Sequence, residues 1–256
     1  MNGKRPYKLP EPLLCSADKE INMTLVDEYI RKHEERMPRY RYLENLYKGF
    51  HDVFRLPEKE SWKPDNRLAV NFPRYITETF LGYAYGIPVK KSHPDEKIKD
   101  AILEFDRDND ISDQEYELVK KCCIYGHAFE YFYQDEEAKT KTVVCNPKEL
   151  FVVYDDTVKS RALFAVRYGK KDDNVTRYGE ILTRTEIIPF DGEKMQESIP
   201  NPYGRINCVE YVLNDERIGL YEEVAGMVET YNRVIGEKAN DVDSFAEAYL
   251  AVLGAE

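Results

Sequence analysis

Residues 219–254 read GLYEEVAGMVETYNRVIGEKANDVDSFAEAYLAVLG, and apolar residues recur in them on a seven-residue frame. Tyr221, Val228, Ile235, Val242 and Tyr249 hold one heptad position. Val224, Tyr231, Phe245 and Val252 hold the other, with Lys238 as the polar interruption. A 3–4 spacing kept over this length predicts a helix with one narrow stripe to bury against a partner. At ~1.5 Å per residue it is roughly 50 Å long. Gly219 suits the N-cap, Glu222 and Glu223 the positive end of the helix dipole, and Gly254 the C′ position. Gly226 and Gly236 weaken such a helix by about 1 kcal/mol each, so packing must hold it together. It is either a core helix lying along its own domain or a strut that packs against copies of itself.

Outward from this stretch, composition sets the class. A chain of 256 residues has room for one large core or two smaller ones, and 42% hydrophobic with 33% charged residues is a soluble globular balance. The segment Met1–Pro12 is basic and has no apolar run, so it does not read as a secretory signal. Nowhere does an apolar run approach the ~20 residues of a membrane span. Cys15, Cys122, Cys123, Cys145 and Cys208 show no CxxC spacing, which fits a reducing compartment and small apolar fillers. Charge is uneven: from Asn207 onward eleven Asp/Glu face three Lys/Arg, within a net charge of −11. An acidic helix repels phosphate, so the strut is not built to grip nucleic acid. Its acidic side is either a solvated face or a surface past which a polyanion moves without sticking.

The rest of the chain divides into helices, then strands. An extended arm spans residues 1–20. Thr24-Leu-Val-Asp27 reads as a capping box for a helix to about Glu35, Pro38 ends it, and a second helix runs from about Arg39 to Phe54. A Pro- and charge-rich linker, Leu56–Asp65, precedes a short strand at Leu68–Phe72. A helix from Pro73 to Tyr85 is so rich in apolar and aromatic residues that it reads as buried. Its Gly82 and Gly86 form a GxxxG that suits close helix contact. Helices at about 95–106 and 113–125 lead to Gly126. Strands follow at His127–Tyr133, Thr142–Cys145, Leu150–Tyr154, Arg161–Tyr168, Val175–Leu182, Glu186–Phe190 and Cys208–Leu213, as a hairpin and a continuing meander. The fold class is α+β.

Chemical motifs are mostly missing: no GxSxG, HExxH, GxGxxG or P-loop is present. Asp155-Asp156 suits a turn better than a catalytic carboxylate pair, because neighbours on a strand point to opposite faces. Asp106, Asp108, Asp110, Ser112, Gln114 and Glu117 fall at the ligand positions of a calcium loop. Ile111 stands where that loop needs glycine, and Ser112-Asp-Gln-Glu115 is a capping box in its own right. No metal, cofactor or catalytic residue is therefore assigned.

One resemblance carries the reading further. Asn71-Phe-Pro73-Arg74-Tyr75-Ile76, then Gly82-Tyr83 and Gly86-Ile87-Pro88-Val89, resemble a signature of bacteriophage portal proteins, the head–tail connectors of long-tailed phages. Tyr125-Gly126-His-Ala128-Phe-Glu130, Asn146-Pro147, Tyr154-Asp155 and Ala165-Val166-Arg167-Tyr168 continue it in order. Val209-Glu210-Tyr211, Asn214-Asp-Glu216-Arg217, Tyr221-Glu-Glu-Val224, Tyr231-Asn232, Asn240-Asp241, Phe245 and Ala248-Tyr-Leu250 carry it to the end. No single element is specific; their collinear order over residues 40–254 is.

The resemblance implies a ring, usually of twelve copies, at one capsid vertex. Such a ring conducts double-stranded DNA inward without sequence-specific binding, and terminase and tail adaptor dock on it. Its other partners are the capsid protein or scaffold, it needs no membrane, and it belongs to the virion after assembly in the host cytoplasm. By position, residues 1–20 are the arm, 21–218 a wing-like domain and 219–254 the first stem-like helix, whose heptad residues pack subunits. The family's clip, second stem helix and crown are expected beyond this sequence. Asn71, Pro73, Tyr75, Gly82, Tyr83, Gly86, Pro88, Tyr125, Gly126, Glu130, Tyr154 and Asp155 are implied to be structural. The alternatives are an acidic soluble phage adaptor, or a metal-dependent phage enzyme, for which the carboxylates are scattered.

Overall fold

The computed structural model describes residues 7–246, which form a mixed α+β fold. Five helices precede the main strands: α1 (Met23–Glu34), α2 (Met37–Lys48), α3 (Phe72–Tyr85), α4 (Glu96–Asp108) and α5 (Ile111–Tyr125). Strand β1 (Leu13–Cys15) lies before them. After them come β2 (His127–Gln134), β3 (Thr140–Cys145), β4 (Leu150–Asp155), β5 (Ala162–Lys170), β6 (Arg177–Leu182), β7 (Glu186–Asp191), the short β8 (Lys194–Met195) and β9 (Ile199–Pro200), and β10 (Cys208–Val212). Helix α6, Ala225–Ala246, follows a 3₁₀ turn at Glu222–Val224.

Period-2 alternation sets the layers. Phe151 and Val153 of β4 face α1, where Val26, Tyr29 and Ile30 meet them together with Phe164, Val166 and Ile181. Leu150 and Val152, one residue out of phase, face the opposite way and pack with Ala165 and Leu182 against Phe129, Tyr131, Cys145 and Cys208. The expected meander is therefore two sheets. The larger runs β1-β4-β5-β6-β7-β8 with β9 on β7, and the smaller runs β10-β2-β3. Strand β10 returns to β2, with Cys208 opposite Tyr131, instead of extending the meander. On the outer side of the small sheet, Leu118 and Cys122 of α5 cover Ala128. All five cysteines are free and buried, and burial pushes the thiols of Cys122 and Cys123 up to about 12.

Several expectations are corrected here. The arm contributes a strand: β1 pairs in parallel with β4, Leu13 opposite Val153. Helix α1 is capped by Asn22, whose side chain accepts from Leu25 N at 3.0 Å, so the Thr24 capping box is not used. Pro38 opens α2 rather than only ending α1, and left-handed Gly49 closes it at Lys48, well short of Phe54. Segment 68–72 is no strand: the Val70 amide is taken by the Asn232 side chain of α6, and the Phe72 amide turns back to Val70 O. Helix α3 buries only Pro73, Thr77 and Leu81, while Tyr75 and Tyr83 are exposed. Among the described residues, nothing comes within 4 Å of a Cβ placed at Gly82, so the GxxxG marks no helix contact there. Helix α5 starts at Ile111 after left-handed Asp110, so Ser112 is not its cap. With α4 and α5 covering 96–108 and 111–125, the calcium-loop residues lie mostly in helices, and Asp106 pairs with Lys91.

Candidate functional site

Helix α6 is approached through a dense polar root. Tyr221 is fully buried, and its hydroxyl donates to Leu43 O at 2.7 Å. Glu222, expected at the positive end of the helix dipole, is buried and bonded to Arg39 Nε at 2.9 Å and to Gly219 N at 2.9 Å. Gly219 is thus inside a turn six residues before α6, not its N-cap. Arg39 also donates to Arg217 O at 2.8 Å. Gly126, the C-cap of α5 at φ +87°, lets residue 217 cross: a Cβ there would lie 1.9 Å from Arg217 O.

Beside this pair sits a carboxylate–imidazole–phenol chain. Glu210 accepts from Arg217 at 2.8 and 2.9 Å, from His127 Nδ1 at 2.6 Å and from the Tyr154 hydroxyl. The Tyr40 hydroxyl lies 2.8 Å from His127 Nε2. Burial pulls His127 below its ordinary pKa, against the opposing pull of Glu210. Burial pushes Glu210 up, but the hydrogen bonds from Arg217 and His127 outweigh it and hold the carboxyl well below the usual range. His127 and Glu210 are both buried and each spends its bonds on the other and on neighbours, so the chain ties β2, β10 and α2 to the approach of α6.

Beyond the root, α6 turns two different faces. Its buried residues are Ala225, Val228, Asn232, Gly236 and Asn240. Asn232 and Asn240 accept backbone amides of segment 66–70, and Glu229 and Glu237 take His51 and Lys59. Those acids are engaged rather than merely solvated. The opposite side carries Met227 (73% exposed), Tyr231 (47%), Val234 (58%), Val242 (58%) and Phe245 (77%). At ~100° per residue this stripe is centred about 160° round the helix from the Asn232–Asn240 line. The heptad set therefore splits. Tyr221 and Val228 belong to the chain's own interior, Ile235 is half-buried, Val224, Tyr231, Val242 and Phe245 are exposed, and Tyr249 and Val252 lie outside the described residues.

The remaining motif residues do not form one site. Asn71 caps α3 by accepting from Arg74 N at 3.1 Å, and donates to Tyr47 O at 2.9 Å. Pro73 is buried in the first turn of α3; Tyr75, Gly82, Tyr83 and Pro88 are exposed, as is Gly86 at its C-cap. Glu130 accepts from Thr142 Oγ1 and the Tyr211 hydroxyl, both at 2.9 Å. Tyr125 stacks edge-on against Tyr40, and Asp155 closes its turn onto Thr157. Sequence reading missed Arg39, His127 and Glu222 as partners. A buried ion pair between distant residues leaves no local pattern; a signal for Asn232, Gly236 and Asn240 was present in their four-residue spacing.

Among the described residues, no cluster of three His, Cys, Asp or Glu side chains is placed to hold a metal ion, and no helix is long and apolar enough to cross a membrane. The polar groups of the root close on one another, and an apolar face runs open along α6. The chain belongs to the phage portal protein family, SPP1 Gp6-like, which matches residues 26–256. It is similar to the portal protein of Bacillus phage SPP1, 21% identical over 277 residues, a match that covers 96% of this chain and 54% of that protein. The chain thus spans about half the length of the curated relative. The family is one of structural virion proteins, the head–tail connectors of DNA packaging.

Proposed function

We propose that this chain is the wing and first stem helix of a portal subunit that forms a ring at one capsid vertex. In this reading residues 21–218 are the wing and α6 is the strut by which neighbouring copies meet. The observation that carries it is the outward stripe of Met227, Tyr231, Val234, Val242 and Phe245, which the described fold leaves open except where the Tyr231 ring meets Phe72 edge-on. Five large apolar side chains along one helix face are stabilised only when a second surface covers them, at about 25 cal/mol per Å² buried. A ring of more than two copies needs head-to-tail contacts, in which the stripe meets a different surface of the next copy. The acidic excess after Asn207 suits a wall that lets the duplex pass, since every phosphate held by Lys or Arg steepens the salt dependence and brakes movement. Terminase and tail components dock elsewhere on the whole protein, and the capsid or scaffold meets the wing.

Electron microscopy of the concentrated protein is the test. Closed rings with an open centre wide enough for a duplex are expected. Monomers throughout, or compact assemblies with no channel, would favour an adaptor and overturn the reading.

A further inference from the structure

Two lengths match where α6 meets the chain before α3. Val70 N donates to Asn232 Oδ1 at 2.8 Å, and Asn66 N donates to Asn240 Oδ1 at 2.6 Å. Four residues of extended chain cover about 13 Å, and eight residues of helix cover about 12 Å. The segment can therefore run antiparallel along the helix and give one amide to each asparagine. Midway stands Gly236, where a Cβ would lie 2.8 Å from Asn66 O. The contact continues at both ends. Asn66 Nδ2 donates to Asp243 at 2.5 Å, Lys59 Nζ to Glu237 at 2.8 Å, and Asp52 N to Glu229 at 2.9 Å, with His51 Nδ1 3.0 Å from the same carboxylate.

Past Val228, the described residues that α6 buries are Asn232, Gly236 and Asn240. That choice is informative. Apolar packing is non-directional and lets a helix roll about its axis. Hydrogen bonds to two fixed amides do not, because they weaken steeply as their angle opens. A smooth Leu or Val ridge would bury more area and specify less. The extended segment, for its part, has amide groups that need partners once they are covered, and the asparagines stand in for a neighbouring strand.

We propose that residues 51–70 are a strap that sets the rotational phase of α6, with Asn232, Gly236 and Asn240 as the rail it runs along. These are positioning residues: they hold the polar face inward and so present Tyr231, Val242 and Phe245 outward. The use of that presentation by a second copy rests on the portal reading; the strap itself does not.

Native-state hydrogen exchange on the whole chain tests it, with Asn240→Ala and Gly236→Ala as the variants. Gly226→Ala is the control, since nothing lies within 4 Å of a Cβ there. Asn240→Ala and Gly236→Ala are expected to speed exchange at Asn66, Val70 and the turns 229–243 at least tenfold. Residues 221–228 and strands β4, β5 and β6 should be unchanged, and Gly226→Ala should leave strap protection intact. Unchanged exchange at Asn66 and Val70 in both variants would overturn the proposal, as would equal acceleration over the whole chain, which would make the segment part of the common core. Failure to form rings with strap protection intact would count only against the portal reading.

Discussion

The root of α6 and its outer turns are held to the same chain by opposite means. At the root, Arg39 and Glu222 are a fully buried ion pair beside buried Tyr221. Further out, the Val70 and Asn66 amides meet Asn232 and Asn240 through single, part-buried, neutral hydrogen bonds. A buried charge that loses its partner keeps its full desolvation cost, whereas a hydrogen bond near water exchanges for water at small net cost. The difference teaches where the helix is anchored and where it is only steered. Rigidity is concentrated where the helix leaves the α+β body, and direction is imposed along its length.

The largest expected effect breaks the anchor. Glu222→Ala leaves the Arg39 guanidinium unpaired inside the protein and should cost about 3–5 kcal/mol in urea unfolding. Asn240→Ala should cost only about 1.5 kcal/mol. Equal costs would erase the distinction between root and rail.

Acid should act on the body behind the root. The ring nitrogens of His33 lie 2.9 Å from the Tyr168 hydroxyl and 2.8 Å from Pro147 O, and burial pulls its pKa down to about 3. The unfolded imidazole takes a proton near 6.5, so this stability is complete above that pH and is lost as pH falls toward about 3. The slope is roughly 1.4 kcal/mol per pH unit for one such group. His127, also lowered by burial, adds in the same direction. Glu210, whose folded carboxyl is depressed, adds to the loss only below its unfolded value of about 4.3. Urea titrations at pH 7, 6 and 5 should show His33→Asn to be flatter than the parent by about one proton. An unchanged slope would remove His33 from the account.

Much of this architecture is legible in the sequence, and the failures are instructive. Strands β2, β4 and β7 fall within one residue of where alternation and turn residues put them, because a half-buried pleat writes its period directly. The pairing of β10 with β2 is not written there, since register partners far apart in the chain leave no local mark. Leu68–Phe72 has the apolar content of a strand, yet its Val70 amide goes to a helix side chain, so propensity marks an extended segment and not its partner. Aromatic density in α3 does not mean burial, since Tyr75 and Tyr83 face outward; composition does not separate a core face from a surface one. The heptad frame found the helix but merged two faces. Tyr221 and Val228 serve the root, while Tyr231, Val242 and Phe245 serve the stripe. Gly226 and Gly236 looked equivalent as helix weakeners, and only the second has a backbone pressed against it.

The smallest expected change in stability belongs to the stripe, and there the central claim is most exposed. Val242→Asp with Phe245→Asp alters side chains that are 58% and 77% exposed, so melting should shift by no more than about 0.5 kcal/mol per site. Sedimentation velocity over a concentration series, run on the parent and on this double variant, is the direct measurement. The parent should move to heavier species as concentration rises, while the variant stays a single folded chain. Indistinguishable sedimentation of the two would contradict the account and leave the stripe as bare surface.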